Sequence, residues 1–184
     1  MIGMTVSQLI EQALAELEHP ADTAALPLWR TKLIRYANEA QNDLTETFRP
    51  WRRDPLTLCN GQLDLSGLPY TAGKVLGVER NGMRIPFYYG TDTNTLCVPG
   101  AADGTMTVVY RYLPKTLVQN SDESELPTAC HPLIVQYMAA RFEMRNDASA
   151  QNHAAMLLNV YETRKRRMKL DFDEPSGYAF YNCW

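Results

Sequence analysis

Residues 104–114 read Gly-Thr-Met-Thr-Val-Val-Tyr-Arg-Tyr-Leu-Pro, GTMTVVYRYLP. Met106, Val108, Tyr110 and Tyr112 alternate with their neighbours, and a period of two puts them on one face of a strand. The same pattern extends backward to Pro55. Leu56/Leu58, Leu63/Leu65, Val75/Val78, Ile85/Phe87 and Leu96/Val98 are short alternating runs. Asn60-Gly61, Asn81-Gly82 and Asp103-Gly104 punctuate them. Such pairs between alternating runs are the strongest short hairpin signal, because both residues tolerate positive φ. The spacing predicts about six strands over residues 55–113, joined as an antiparallel β-meander.

Helical periodicity flanks this region on both sides. Val6, Leu9, Ile10, Ala13, Leu14 and Leu17 form one apolar face of a helix over 5–18. Thr5 followed by Gln8 is a capping-box start, and His19-Pro20 ends the helix. Leu33, Ile34, Ala37, Ala40, Gln41, Leu44 and Phe48 make a second stripe over 28–49, stopped by Pro50. Beyond the strands, Leu133, Ile134, Tyr137, Met138, Arg141 and Phe142 define a third helix over 130–146. A fourth, over 148–169, carries Ala154, Ala155, Leu158 and Tyr161. The expected fold is mainly α with a β-rich insertion (α+β). Its core resembles a four-helix bundle, the β-meander lies between helices 2 and 3, and an extended C-terminal arm follows. Residues 1–170 are expected to form a single domain and residues 171–184 the arm.

That last segment reads DFDEPSGYAFYNCW and holds five aromatic residues, Phe172, Tyr178, Phe180, Tyr181 and Trp184. Pro175 and Gly177 disfavour helix there. Disordered tails are poor in aromatics. Rings left in water forgo about 1.5–3 kcal/mol each of burial free energy. The segment is therefore expected to dock, either on its own domain or on a neighbour. Asp171, Asp173 and Glu174 make a charged hinge before the rings and favour the arm that crosses. It follows a basic helix end, Arg164, Lys165, Arg166, Arg167 and Lys169. Cations suit a helix C-terminus, but this many also suit a phosphate or an acidic partner surface. A second cluster, Arg49, Trp51, Arg52 and Arg53, could stack on nucleotides. The commoner outcome is a packed indole with solvated arginines.

Composition narrows the function classes. Forty-five per cent apolar and 21% charged residues are ordinary for a globular chain. A net charge of −3 argues against a general nucleic-acid coat. No apolar run is long enough to span a bilayer, and the N-terminus lacks the features of a secretory signal. Cys59, Cys97, Cys130 and Cys183 are widely spaced, as expected of free thiols in a reducing compartment. His19, His131 and His153 have no triad or ligand spacing, and Cys130-His131 alone supplies too few ligands for zinc. The carboxylates at 122–125 and 171–174 lie in polar loops, where a solvated charge run is the simpler reading. No nucleotide-binding, nucleophile-elbow or zinc-protease motif occurs. No enzyme activity and no cofactor are expected.

Several stretches resemble the head–tail adaptor (connector) proteins of tailed bacteriophages. Tyr110-Arg111-Tyr112-Leu113-Pro114 is followed by Glu125-Leu126-Pro127 and then by HPLIVQYMAARFEMRND. In that family a strand ends on a YRYLP-like edge, an acidic loop with Leu-Pro follows, and a helix of this flavour breaks at a small "ND" turn. LIRYANEAQNDL, Leu33 to Leu44, is similar to the family's second helix. The resemblance implies a non-enzymatic virion protein at the head–tail junction, made in the bacterial host cytoplasm. It implies a cyclic ring beneath the portal protein, twelve-membered to match it, with subunits monomeric when isolated. The ring would offer a surface to a tail or nozzle protein and leave a channel through which DNA passes, with no membrane partner. Asp171 to Trp184 would grip the portal or a neighbouring subunit, and the Arg164–Lys169 helix end would sit on the portal side. A tail-completion or stopper ring is the alternative. A nucleic-acid-binding module using Arg49, Arg52, Arg53 and the 164–169 run is a further one.

Overall fold

The computed structural model describes residues 3–17, 26–144 and 148–168. Four α-helices occur among them, α1 (Val6–Glu16), α2 (Leu26–Phe48), α3 (His131–Glu143) and α4 (Ala148–Met168). Seven strands lie between α2 and α3: β1 (Trp51–Leu58), β2 (Gln62–Asp64), β3 (Thr71–Arg80), β4 (Met83–Ile85), β5 (Tyr88–Tyr89), β6 (Thr95–Cys97) and β7 (Gly104–Leu113). The chain divides into two compact units. The helical unit comes from the residues before 49 and after 115, and the strand unit is Arg49–Lys115.

In the helical unit the Thr5–Gln8 capping box forms in both directions. The Gln8 N–H donates to Thr5 Oγ1 at 3.3 Å, and the Thr5 N–H donates to Gln8 Oε1 at 2.9 Å. Helix α3 contacts each of the other three helices. Leu133, Ile134, Val135, Met138, Ala139, Ala140 and Phe142 are all buried on it. A helix that is apolar all round belongs at the centre of its unit. Loop residues Leu117 and Leu126 complete the same core. The Leu117 backbone is clamped by Asn38, whose Oδ1 accepts from the Leu117 N–H at 2.8 Å and whose Nδ2 donates to the Leu117 carbonyl at 2.9 Å.

The strand unit holds two antiparallel sheets, ordered β1-β7-β3-β4 and β2-β6-β5. Its own core contains Leu58, Leu63, Val75, Val78, Leu96, Val98, Met106, Val108, Tyr110 and Tyr112. Three tight antiparallel connections join consecutive strands: β1–β2 at Asn60-Gly61, closed by the Cys59–Gln62 bridge, β3–β4 and β5–β6. β3–β4 turns at Asn81-Gly82, where φ is 51° and 78°. The longest ladder pairs the first strand with the last, from Trp51 opposite Arg111 to Leu58 opposite Gly104.

This architecture overturns the expected four-helix bundle-like core carrying an inserted meander. The fold is a β-rich α+β arrangement. Three helices surround a buried fourth instead of each contributing one stripe to a shared seam. The strands are not a meander, because β7 enters between β1 and β3 and closes the region on itself. A separate core lets the strand unit bury its own apolar faces. Among the described residues no helix is long and apolar enough to cross a membrane.

Candidate interaction site

The end of α4 is built from a stripe at helical spacing. Ala154, Tyr161 and Lys165 are buried and Leu158 is half-buried, while Ala155, which the periodicity placed beside them, is exposed. Tyr161 packs edge-on against Tyr137 of α3, with ring centroids 5.3 Å apart. Its hydroxyl donates to Asp43 of α2. The Lys165 ammonium donates to the same Asp43 carboxylate at 2.7 Å and to Glu162 at 2.8 Å. Further along the α2–α3 seam, Glu39 accepts from the Tyr137 hydroxyl and pairs with Arg35 and Arg141, each at 3.4 Å. Burial, and then the Asp43 carboxylate, push the Tyr161 hydroxyl well above the usual phenol range. For Lys165, burial alone would lower the pKa. The hydrogen bonds and charges of Asp43 and Glu162 outweigh it and hold the ammonium above its ordinary value.

The basic helix end therefore divides into an inward and an outward set. Lys165 is committed to α2 and Glu162, whereas Arg164, Arg166 and Arg167 are exposed. Arg164 and Arg167 border a shallow depression of about 200 Å3 with Asn159, Val160 and Thr163. Val160 and Met156 continue that outer stripe as exposed apolar residues. Cations beside a small apolar patch can receive a carboxylate- or phosphate-bearing surface. Lys169 and the five aromatics Phe172, Tyr178, Phe180, Tyr181 and Trp184 lie outside the described residues. Asp43, Tyr137 and Glu162 were missed as members of this network. Tyr161 and Lys165 at i,i+4, and Glu162 and Lys165 at i,i+3, carried the local signal for it.

The other candidates separate. Arg52 stacks over Tyr70 at 4.5 Å and reaches Asp54 at 3.3 Å. Arg53 lies 5.8 Å from the Trp51 ring and 3.7 Å from Glu79. Trp51 is a half-buried strand residue, and Arg52 and Arg53 are exposed beside it. Arg49 takes a left-handed conformation, φ 48°, just after α2. His131 is buried at the head of α3. Its Nδ1 accepts from the Met4 N–H at 3.4 Å, so Nε2 carries the proton toward the Leu126 carbonyl at 3.2 Å. Burial lowers its pKa. His153 is solvent-facing near Glu143, and His19 lies outside the described residues. Asp122 caps a turn, accepting from the Val118 and Gln119 N–H groups at 2.8 Å each. Burial pushes the Cys130 thiol up to about 12, so it stays protonated. Cys59 and Cys97 are also free thiols. No group of three potential metal ligands occurs among the described residues. A depression of about 380 Å3 in the strand unit, lined by Tyr88, Tyr89 and Cys97 among others, contains one carboxylate, Asp92.

A family model described as SU10 adaptor protein matches residues 4–176. No curated protein matches the chain.

Proposed function

Because the chain belongs to the SU10 adaptor protein family, a family of phage head–tail adaptors, we propose that this structural phage protein forms a ring joining the portal to the tail. The ring leaves a channel for DNA and presents its far side to a tail or nozzle protein. Asp171 to Trp184 is the arm that docks on the portal or on a neighbouring subunit, led by Phe172, Tyr178, Phe180, Tyr181 and Trp184. Arg164, Arg166, Arg167 and Lys169 contact the partner next to it, with Lys165 as the internal anchor.

One observation carries this reading. The Asp43–Tyr161–Lys165 network ties the end of α4 to α2, directly before the aromatic segment. An arm that must bear load between two assemblies works only from a fixed root, and a helix held by charge-assisted hydrogen bonds supplies one. The three exposed arginines at that root add cations for a partner surface. The test is binding to a portal ring by the full chain and by a truncation ending at Lys169. The full chain is expected to bind and the truncation to lose most of its affinity. Equal binding by both refutes the arm.

A further inference from the structure

Helix α4 carries a second stripe, turned away from the core of the helical unit. Tyr161 and Lys165 are buried on its inner side, held by Asp43 of α2 and packed toward Tyr137 of α3. At about 100° per residue, Met156, Val160, Thr163 and Arg167 point the opposite way, flanked by Asn159 and Arg164. All six are exposed. The stripe is graded along its length. Met156, Asn159 and Val160 make a neutral first half, and Arg164 and Arg167 make a cationic second half. It holds no carboxylate, because Glu162 is turned toward Lys165. Among the described residues, the Arg164 and Arg167 side chains have no hydrogen-bond or ion-pair partner.

The depression between Val160 and Arg167 measures about 200 Å3. Small-molecule sites are larger, roughly 300–1,000 Å3. A peptide bearing carboxylates and apolar rings suits this stripe better. The chain supplies one directly after α4. Asp171, Asp173 and Glu174 come first, Pro175 and Gly177 follow, and then Tyr178, Phe180 and Tyr181. A segment that reverses at the end of α4 meets the helix from its C-terminus backward. Its carboxylates then reach Arg167 and Arg164, and its rings reach Val160 and Met156. The order of chemistry in the segment is the order on the helix read in reverse. The reach is sufficient. Met156 lies about 17 Å back along the helix from Arg167, and the residues from Lys169 to Tyr178 span up to about 33 Å when extended.

We infer that residues 171–181 of the free chain fold back along the outer stripe of their own α4. The carboxylates pair with Arg164 and Arg167, and the rings cover Val160 and Met156. This rests on the arm reading above and adds where the arm is stored before a partner takes it. Storage has a physical use. Uncovered rings on many copies of one chain favour unspecific association. Release costs the arm its contacts with α4, so only a partner that binds the released arm more strongly draws it away. Arg164 and Arg167, once uncovered, then face that same partner.

A charge swap in the full chain tests it, read as the rate of chymotrypsin cleavage after Tyr181 and followed by mass. The stripe variant is Arg164→Glu with Arg167→Glu. The segment variant is Asp171→Lys with Asp173→Lys and Glu174→Lys, all well before the bond that is read. Each variant alone should be cut about tenfold faster than the unaltered chain, since like charges then face each other. A chain carrying both sets joins opposite charges again and should return to within about twofold of the unaltered rate. Added salt should speed cutting of the unaltered chain. Val160→Asp, which leaves both cations in place, should speed it too. If the stripe variant fails to fold by circular dichroism, Arg164→Gln with Arg167→Gln carries the test with a smaller change. The inference is overturned if all the chains are cut at one rate, or if the combined variant is cut as fast as either parent. Protection that rises with protein concentration overturns it by giving the stripe to the segment of a second copy. Loss of low-salt binding to duplex DNA by the stripe variant, with cleavage unchanged, overturns it in favour of a phosphate backbone. The assay contains no portal, so portal binding by the arm stands or falls separately.

Discussion

The helical and strand units each contain a buried tyrosine that donates to an aspartate which also holds a cation. In the helical unit the trio is Tyr161, Asp43 and Lys165. In the strand unit it is Tyr110, Asp54 and Arg52, with Tyr110 donating at 2.8 Å. Both phenols are pushed up by burial and then by the aspartate. The cations differ. The Lys165 side chain is 10% exposed, whereas that of Arg52 is 42% exposed and stacks over Tyr70. A cation taken out of water depends on its carboxylate, and one left in water does not. The same three residue types therefore make an anchor in one unit and a surface ornament in the other.

The sharpest way to break this contrast is to remove the carboxylates. Asp43→Ala leaves the Tyr161 hydroxyl without its acceptor and Lys165 with Glu162 alone. It should destabilise by about 2–4 kcal/mol in urea unfolding. Asp54→Ala should cost less, about 1–3 kcal/mol, because only the Tyr110 hydroxyl loses a buried partner. Tyr161→Phe keeps the ring packing and removes one hydrogen bond to a charged group, for about 1.5 kcal/mol. Arg52→Ala should stay within about 1 kcal/mol, as an exposed pair does. An Asp43→Ala variant as stable as Arg52→Ala would dissolve the distinction between the two trios.

Titration sharpens it further. The folded-state pKa values of Tyr161 and Lys165 are raised. The stability they contribute is complete below their unfolded values, about pH 10, and is lost as pH rises beyond them. Melting temperature followed upward from pH 9 should fall, and less steeply in Tyr161→Phe. His131 has the opposite sign. Its pKa is lowered, so its contribution is complete above about pH 6.5 and is lost on acidification. His131→Gln should flatten the acid limb, a small effect read from the same melts.

Much of the local structure was legible in the residues. Thr5 and Gln8 announced the start of α1, and Asn81-Gly82 announced a tight hairpin. Both signals act within four residues, through backbone sterics and short hydrogen bonds. Asp103-Gly104 looked alike but makes no hairpin, because β7 pairs with β1 and β3 instead. A turn dipeptide marks where the chain bends and carries no information about which strand receives it. The apolar all-round pattern of α3 was read as one face, and that misreading produced the four-helix bundle. Among the basic residues of α4, sequence grouped Lys165 with Arg164, Arg166 and Arg167, since charge alone does not tell inward from outward.

By itself the sequence determined the helical segments, the tight turns, the acidic overall balance and the basic helix end followed by five aromatics. Those properties depend on spacing and composition along a few consecutive residues. Only the tertiary structure decided that β1 closes on β7, that Arg53, Lys74, Arg84 and Arg111 share one sheet face, and that Lys165 is an anchor. The long-range partner of Lys165 is Asp43, 122 positions away, and no local interaction encodes a contact of that separation. Long-range burial sets the dielectric around each charge, and the dielectric settles whether a lysine holds the fold together or waits for a partner.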